Sequence, residues 1–73
     1  MPSKYPICKP TEVIAVLEYY GFRFISQRGS HRKYSDGIHV VIIPMHDVVK
    51  KGTLRSILQQ AELSIDDFMD KYK

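Results

Sequence analysis

Two turn-forming pairs, Gly29-Ser30 and Asp36-Gly37, punctuate the middle of the chain and leave only the short run His31 to Ser35 between them. Glycine-containing pairs of this kind join antiparallel strands, and Asp-Gly is among the strongest hairpin signals. The flanking runs, Phe22 to Arg28 and Ile38 to Ile43, are of strand length and rich in aromatic and β-branched residues. The segment therefore reads as three consecutive antiparallel strands. Pro44 cannot donate to a ladder, so it ends the third strand and blunts the edge that Val40 to Ile43 would otherwise leave sticky.

Helical periodicity lies on both sides. Val13, Val16, Leu17 and Tyr20 fall at i, i+3, i+4 and i+7, Pro10 suits a first turn, and Gly21 suits a left-handed closure, which predicts a helix over residues 10–20. After a loop through Met45-His46-Asp47, the same spacing recurs in Leu54, Ile57, Leu58 and Ala61 and predicts a helix over residues 53–61. Ser64 then stands as an N-cap with Asp67 three residues on, and Leu63 and Phe68 are placed as a hydrophobic staple. Ile65, Phe68, Met69 and Tyr72 would form the apolar stripe of this last short helix. The expected fold is α+β in the order helix, three-stranded antiparallel sheet, helix, short C-terminal helix. Residues 1–73 are read as a single domain, with the helices on one sheet face and the other face partly wet.

A hydrophobic fraction of 44% and a charged fraction of 26% suit a folded domain with one small core. The net charge of +3 permits an anionic partner without requiring one. Its placement says more: Arg23, Arg28, Arg32 and Lys33 lie in the middle with no acid among them, while Asp66, Asp67 and Asp70 sit near the end. Cys8 is the only cysteine, so no disulfide forms within the chain and a reducing compartment is the simpler reading. Met1 to Pro6 lacks the apolar run of a secretion signal, and the longest apolar run, Val40 to Ile43, is too short to span a bilayer. A cytoplasmic protein with no membrane partner is expected.

The chemistry concentrates in Arg28-Gly29-Ser30-His31-Arg32-Lys33-Tyr34. An imidazole can move a proton near neutral pH, and guanidinium and ammonium groups hold phosphate oxygens, so the stretch suits work on a phosphodiester. Strand alternation puts Lys33 on the face of His31 and Arg32 on the other, and it also separates Ser30 from His31, which disfavours a Ser-His nucleophile. Ser30 and Gly29 read first as turn residues, though a glycine here would also let substrate approach the backbone. Tyr34 either stacks on a base or packs in the core. Lys50-Lys51-Gly52-Thr53 offers two ammonium groups and free amides before a helix, which suits a phosphate, or else Gly52 or Thr53 merely caps that helix. His39 would lie across a two-residue turn from Tyr34 as ordinary packing, and His46 is not expected to be catalytic. The spacing of His31, His39 and His46 fits no zinc template and Cys8 is unpaired, so neither a metal nor another cofactor is expected.

Taken together, Gly21-Phe22, Gly29-Ser30-His31 with Tyr34, Ile43-Pro44-x-His46 and Lys51-Gly52-Thr53-Leu54-Arg55-Ser56-Ile57-Leu58 resemble a HicA-type toxin over nearly the whole chain. The resemblance implies a fold similar to a double-stranded RNA-binding domain, with cleavage of mRNA held in check by a HicB-type antitoxin. It also implies that the histidine of the Gly-Ser-His motif, His31, is catalytic. Glu62 departs from the pattern by standing where many relatives have glycine, and the loop Met45 to Val49 is unusually apolar.

The leading expectation is thus an endoribonuclease toxin that needs no metal. His31 would be its general base or acid, and Arg28, Gly29, Ser30, Arg32, Lys33, Tyr34, Lys50 and Lys51 would meet the RNA. A non-catalytic RNA-binding module of double-stranded RNA-binding-domain type would use the same surface through phosphates and 2′-hydroxyls. A third possibility is a small interaction protein whose basic face meets an acidic partner.

Overall fold

In the computed structural model, which describes residues 5–72, the order is α1 (Pro10–Tyr19), β1 (Arg23–Arg28), β2 (His31–Ser35), β3 (Val40–Pro44), α2 (Lys51–Ala61) and α3 (Ile65–Lys71). The three strands form one antiparallel sheet in the order β1-β2-β3. This is the α+β architecture expected from the sequence. The reading of Met1 to Lys4 as free of a leader segment lies outside the described residues.

Local chemistry sets the ends of the elements. Pro10 occupies the first turn of α1, where its missing N–H costs nothing, and the Glu12 carboxylate accepts from the Lys9 backbone N–H at 2.8 Å. The helix closes in a Schellman arrangement: Phe22 N–H donates to the Leu17 carbonyl and Gly21 N–H to that of Glu18, with Gly21 at φ +96°. Ser64 caps α3 by accepting from Asp67 N–H at 3.0 Å. The helix expected over 53–61 starts two residues earlier, so Lys50 is its cap and Gly52 and Thr53 lie inside the first turn. Gly52 does not end the helical run because its φ is not in the left-handed region.

α2 ends in the same Schellman bonds, Leu63 N–H to Leu58 and Glu62 N–H to Gln59, but the left-handed position is held by Glu62 at φ +56°. A side chain there strains the backbone by about 1–2 kcal/mol. Its compensation is small, a 3.3 Å contact between the Glu62 carboxylate, 74% exposed, and His39. Glu62→Gly is therefore expected to stabilise the fold by about 0.5–1 kcal/mol, read as a higher urea midpoint at unchanged slope.

The helices cover one face of the sheet. Tyr34, Val41 and Ile43 point into a core with Val13 and Leu17 of α1, Leu54, Ile57 and Leu58 of α2, and Phe68 of α3. Val40 and Ile42, which alternate with them, stay exposed on the opposite face. In α3 the expected stripe is narrower, since Phe68 is buried while Met69 is 37% exposed. Gln60 of α2 reaches the outer edge of β3, where its side-chain oxygen accepts from Ile42 N–H at 3.1 Å. That contact satisfies part of an edge that would otherwise be open.

The second hairpin differs from the two-residue turn expected. Ser35 pairs with Val40 and Tyr34 with Val41, so residues 36–39 form a four-residue loop. Asp36 is the cause: its carboxylate accepts from Ile38 N–H at 2.9 Å and His39 N–H at 2.6 Å, which folds the loop around the side chain. The register moves by two residues, and a shift of two keeps every side chain on its face.

Candidate functional site

β2 and its neighbours decide what stands on the open face. His31 and Lys33 alternate with Arg32 and Tyr34, and only Tyr34 is buried in the core. On β1 the turn at Gly29-Ser30 sets Arg28 opposite His31 and Ser26 opposite Lys33, and a bulge between Phe24 and Ser26 then shifts the pairing so that Phe24 faces Tyr34. Without the bulge Ile25 would oppose Tyr34; with it, Phe24 takes that place on the core side, while Arg28 stays beside His31 on the open face. On the other side, His31 pairs with Pro44 and Lys33 with Ile42. Ser26, Arg28, His31, Lys33 and Ile42 line a groove of about 410 Å³ on this face.

The Gly29-Ser30 connection is the tight turn expected. Gly29 takes φ +59° while Ser30 keeps a negative φ, the pattern of a two-residue hairpin turn with glycine first. Ser30 accepts through its carbonyl from Met45 N–H at 2.6 Å, which pins the loop after β3 against this turn. As a result the His46 ring stands edge-on to that of His31, with centres 6.3 Å apart and planes at 85°. Both side chains are exposed. The sequence offered little to pair these two histidines, because the path of the Met45 to Val49 loop is set by backbone bonds at its two ends, to Ser30 and to Cys8.

Other expected site residues fall elsewhere. Arg32 lies on the helix side of the sheet, where its Nε donates to Gln27 at 3.0 Å and Gln27 in turn donates to the Gly29 carbonyl at 2.9 Å. It braces the end of the β1-β2 hairpin and does not join His31. Tyr34 is 3% exposed, with its ring edge-on to Phe24 at 5.8 Å, so its RNA contact is withdrawn: a side chain so deep in the core has no face to offer a base. Lys50 and Lys51 are exposed at the start of α2 and do not line the groove. Ser26 and Ile42, which do line it, carried no chemical signal in the sequence and are brought in by pairing with Lys33.

His39 and Cys8 are structural. The His39 ring shares a 3.0 Å contact with the Asp36 carboxylate and tilts against Phe22. Hydrogen bonding to Asp36 raises the His39 pKa above its usual 6.5, and the same bond, helped by two backbone N–H donors, holds the Asp36 carboxyl well below the carboxylate range. The raised His39 value adds stability that is complete below about 6.5 and fades as pH rises through it, whereas the Asp36 contribution is lost only in strong acid. The urea midpoint should therefore fall between about pH 6 and pH 8, and His39→Ala should remove its share of that fall. Cys8 is 2% exposed, and burial, with Glu12 adding to it, pushes its thiol up to about 11. Such a thiol is inert at neutral pH.

Among the described residues no three His, Cys, Asp or Glu side chains gather where they could hold a metal ion, and no helix is long and apolar enough to cross a membrane. Residues 10–63 of the 73-residue chain match the family described as HicA toxin of bacterial toxin-antitoxin. The chain belongs to the HicA toxin family. The matched residues run from the start of α1 past the end of α2 and include the whole sheet, so the HicA match contains the groove and leaves out α3. Comparison with individually curated proteins returns no match. Membership of the HicA family places this chain on the toxin side of a toxin-antitoxin pair, and its open sheet face is the candidate site.

Proposed function

We propose that this HicA-family toxin is an endoribonuclease that cleaves mRNA and that His31 transfers a proton in the reaction. The observation that carries the reading is the position of His31 in the groove, flanked on the same face by Arg28 and Lys33. Cleavage next to a 2′-hydroxyl needs a group to take its proton and cations to hold the phosphate oxygens as charge builds on them. Arg28 can grip two oxygens with its planar fork and Lys33 acts as a point charge. Lys50 and Lys51, at the start of α2, would hold phosphates further along the strand. Gly29 and Ser30 keep the turn tight enough for RNA to pass beside His31.

None of these steps calls for a metal ion. A HicB-type antitoxin would silence the toxin by covering the open face, and the site of action would be the cytoplasm, where message is found. The test is incubation of the purified chain with single-stranded RNA in the presence of EDTA. Fragments ending in 2′,3′-cyclic phosphate are expected. Bound but intact RNA would replace this reading with that of a non-catalytic RNA-binding module, and failure of RNA to bind at low salt would point to an acidic protein partner.

A further inference from the structure

Cleavage by 2′-hydroxyl attack moves two protons: one leaves the attacking oxygen and one must reach the departing 5′-oxygen on the far side of the phosphorus. A single imidazole cannot face both oxygens at once, so His31 requires a counterpart about one phosphate away. His46 stands there. Its loop is held at both ends, by Met45 N–H to the Ser30 carbonyl at 2.6 Å and by the backbone pair of Val49 with Cys8 at 2.6 and 3.2 Å. Between these anchors the His46 ring stands edge-on to that of His31 with centres 6.3 Å apart, too far for a direct hydrogen bond between the rings, and both residues are exposed.

Resting on the ribonuclease reading, we propose that His46 is the second proton carrier and donates to the leaving 5′-oxygen. Position divides the two roles: His31 lines the groove with the phosphate-holding Arg28 and Lys33, whereas His46 stands outside that lining with its ring centre 6.3 Å from that of His31, which leaves it the departing oxygen. Neutral His31 takes the 2′-hydroxyl proton as the 2′-oxygen bonds to phosphorus. The bond from phosphorus to the 5′-oxygen breaks, and protonated His46 gives that oxygen its proton. The products are a 2′,3′-cyclic phosphate and a 5′-hydroxyl, and the pair of histidines has exchanged its protonation with no net gain or loss.

A leaving group that needs no proton separates this role from a merely structural one. An RNA oligonucleotide cut by the wild type is prepared with the ordinary 5′-oxygen and with sulfur in its place at the cut bond, since a thiolate departs unprotonated. His46→Ala and His46→Asn should cleave the oxygen substrate about 10²- to 10⁴-fold more slowly than wild type and should return close to the wild-type rate on the sulfur substrate. His31→Ala should remain slow on both. Equal impairment of the His46 variants on both substrates, or no impairment on the first, would overturn the proposal while leaving the ribonuclease reading intact. A wild type that cuts no RNA would overturn both. His46 is exposed and fills no part of the core, so both variants are expected to fold.

Discussion

Replacing His31 with alanine should lower the rate of RNA cleavage about 10²- to 10⁴-fold, equivalent to roughly 3–5.5 kcal/mol of barrier, while leaving RNA affinity almost unchanged. The two readouts part because the proposed roles are divided among different side chains. Arg28 and Lys33 line the groove with His31 and supply the attraction for phosphate, whereas an imidazole that transfers a proton contributes in the transition state and little before it. His31 is also exposed at the start of β2, so its loss opens no cavity. Cleavage by purified variant and wild type, with binding measured on an uncleavable 2′-deoxy strand, checks both halves. A parallel fall in rate and affinity would make His31 a contact rather than a proton carrier.

The largest effect on stability is expected at Phe68. It is fully buried under α3, stacked on Tyr72 with ring centres 5.4 Å apart, and belongs to the same core as Leu17 and Leu54. Phe68→Ala should cost about 3–5 kcal/mol. A chain of this length commands only about 4–11 kcal/mol in total at the ordinary value per residue, so the variant should be close to unfolding at room temperature. Met69→Ala, one residue away and partly exposed, should cost about 1 kcal/mol or less. Urea unfolding of the pair checks the contrast. It also tests whether α3, which lies beyond the family match, is integral to the fold. Similar midpoints for the two variants would show that it is not.

The sheet was readable because its signals are local. Gly29 needs a positive φ, Pro44 cannot donate to a neighbour, and the alternation of His31, Arg32, Lys33 and Tyr34 assigns each to a face without knowledge of its partner. The second turn is longer than an Asp-Gly pair announces, since Asp36 binds backbone N–H groups two and three residues ahead. The assignment of faces survived because the slip is even. The β1 bulge left no mark in the sequence either, and it is what sets Phe24 rather than Ile25 opposite Tyr34. The place of His46 beside His31 is silent in the sequence for a related reason: it depends on a hydrogen bond between Met45 and Ser30, two backbone groups whose side chains take no part. Strand periodicity reports on faces, whereas a site assembled from a turn, two strand pairings and a loop depends on contacts that no single segment encodes.

The proposed activity of this toxin is the cutting of RNA through His31. Its most direct test is growth after induction of wild type and of His31→Ala in cells lacking the antitoxin, with total RNA mapped for new ends in both cultures. Arrest with new cleavage sites in the wild type, and normal growth with intact RNA in the variant, is the predicted result. Equal arrest of both cultures with no new RNA ends would contradict it and transfer the toxicity to binding alone.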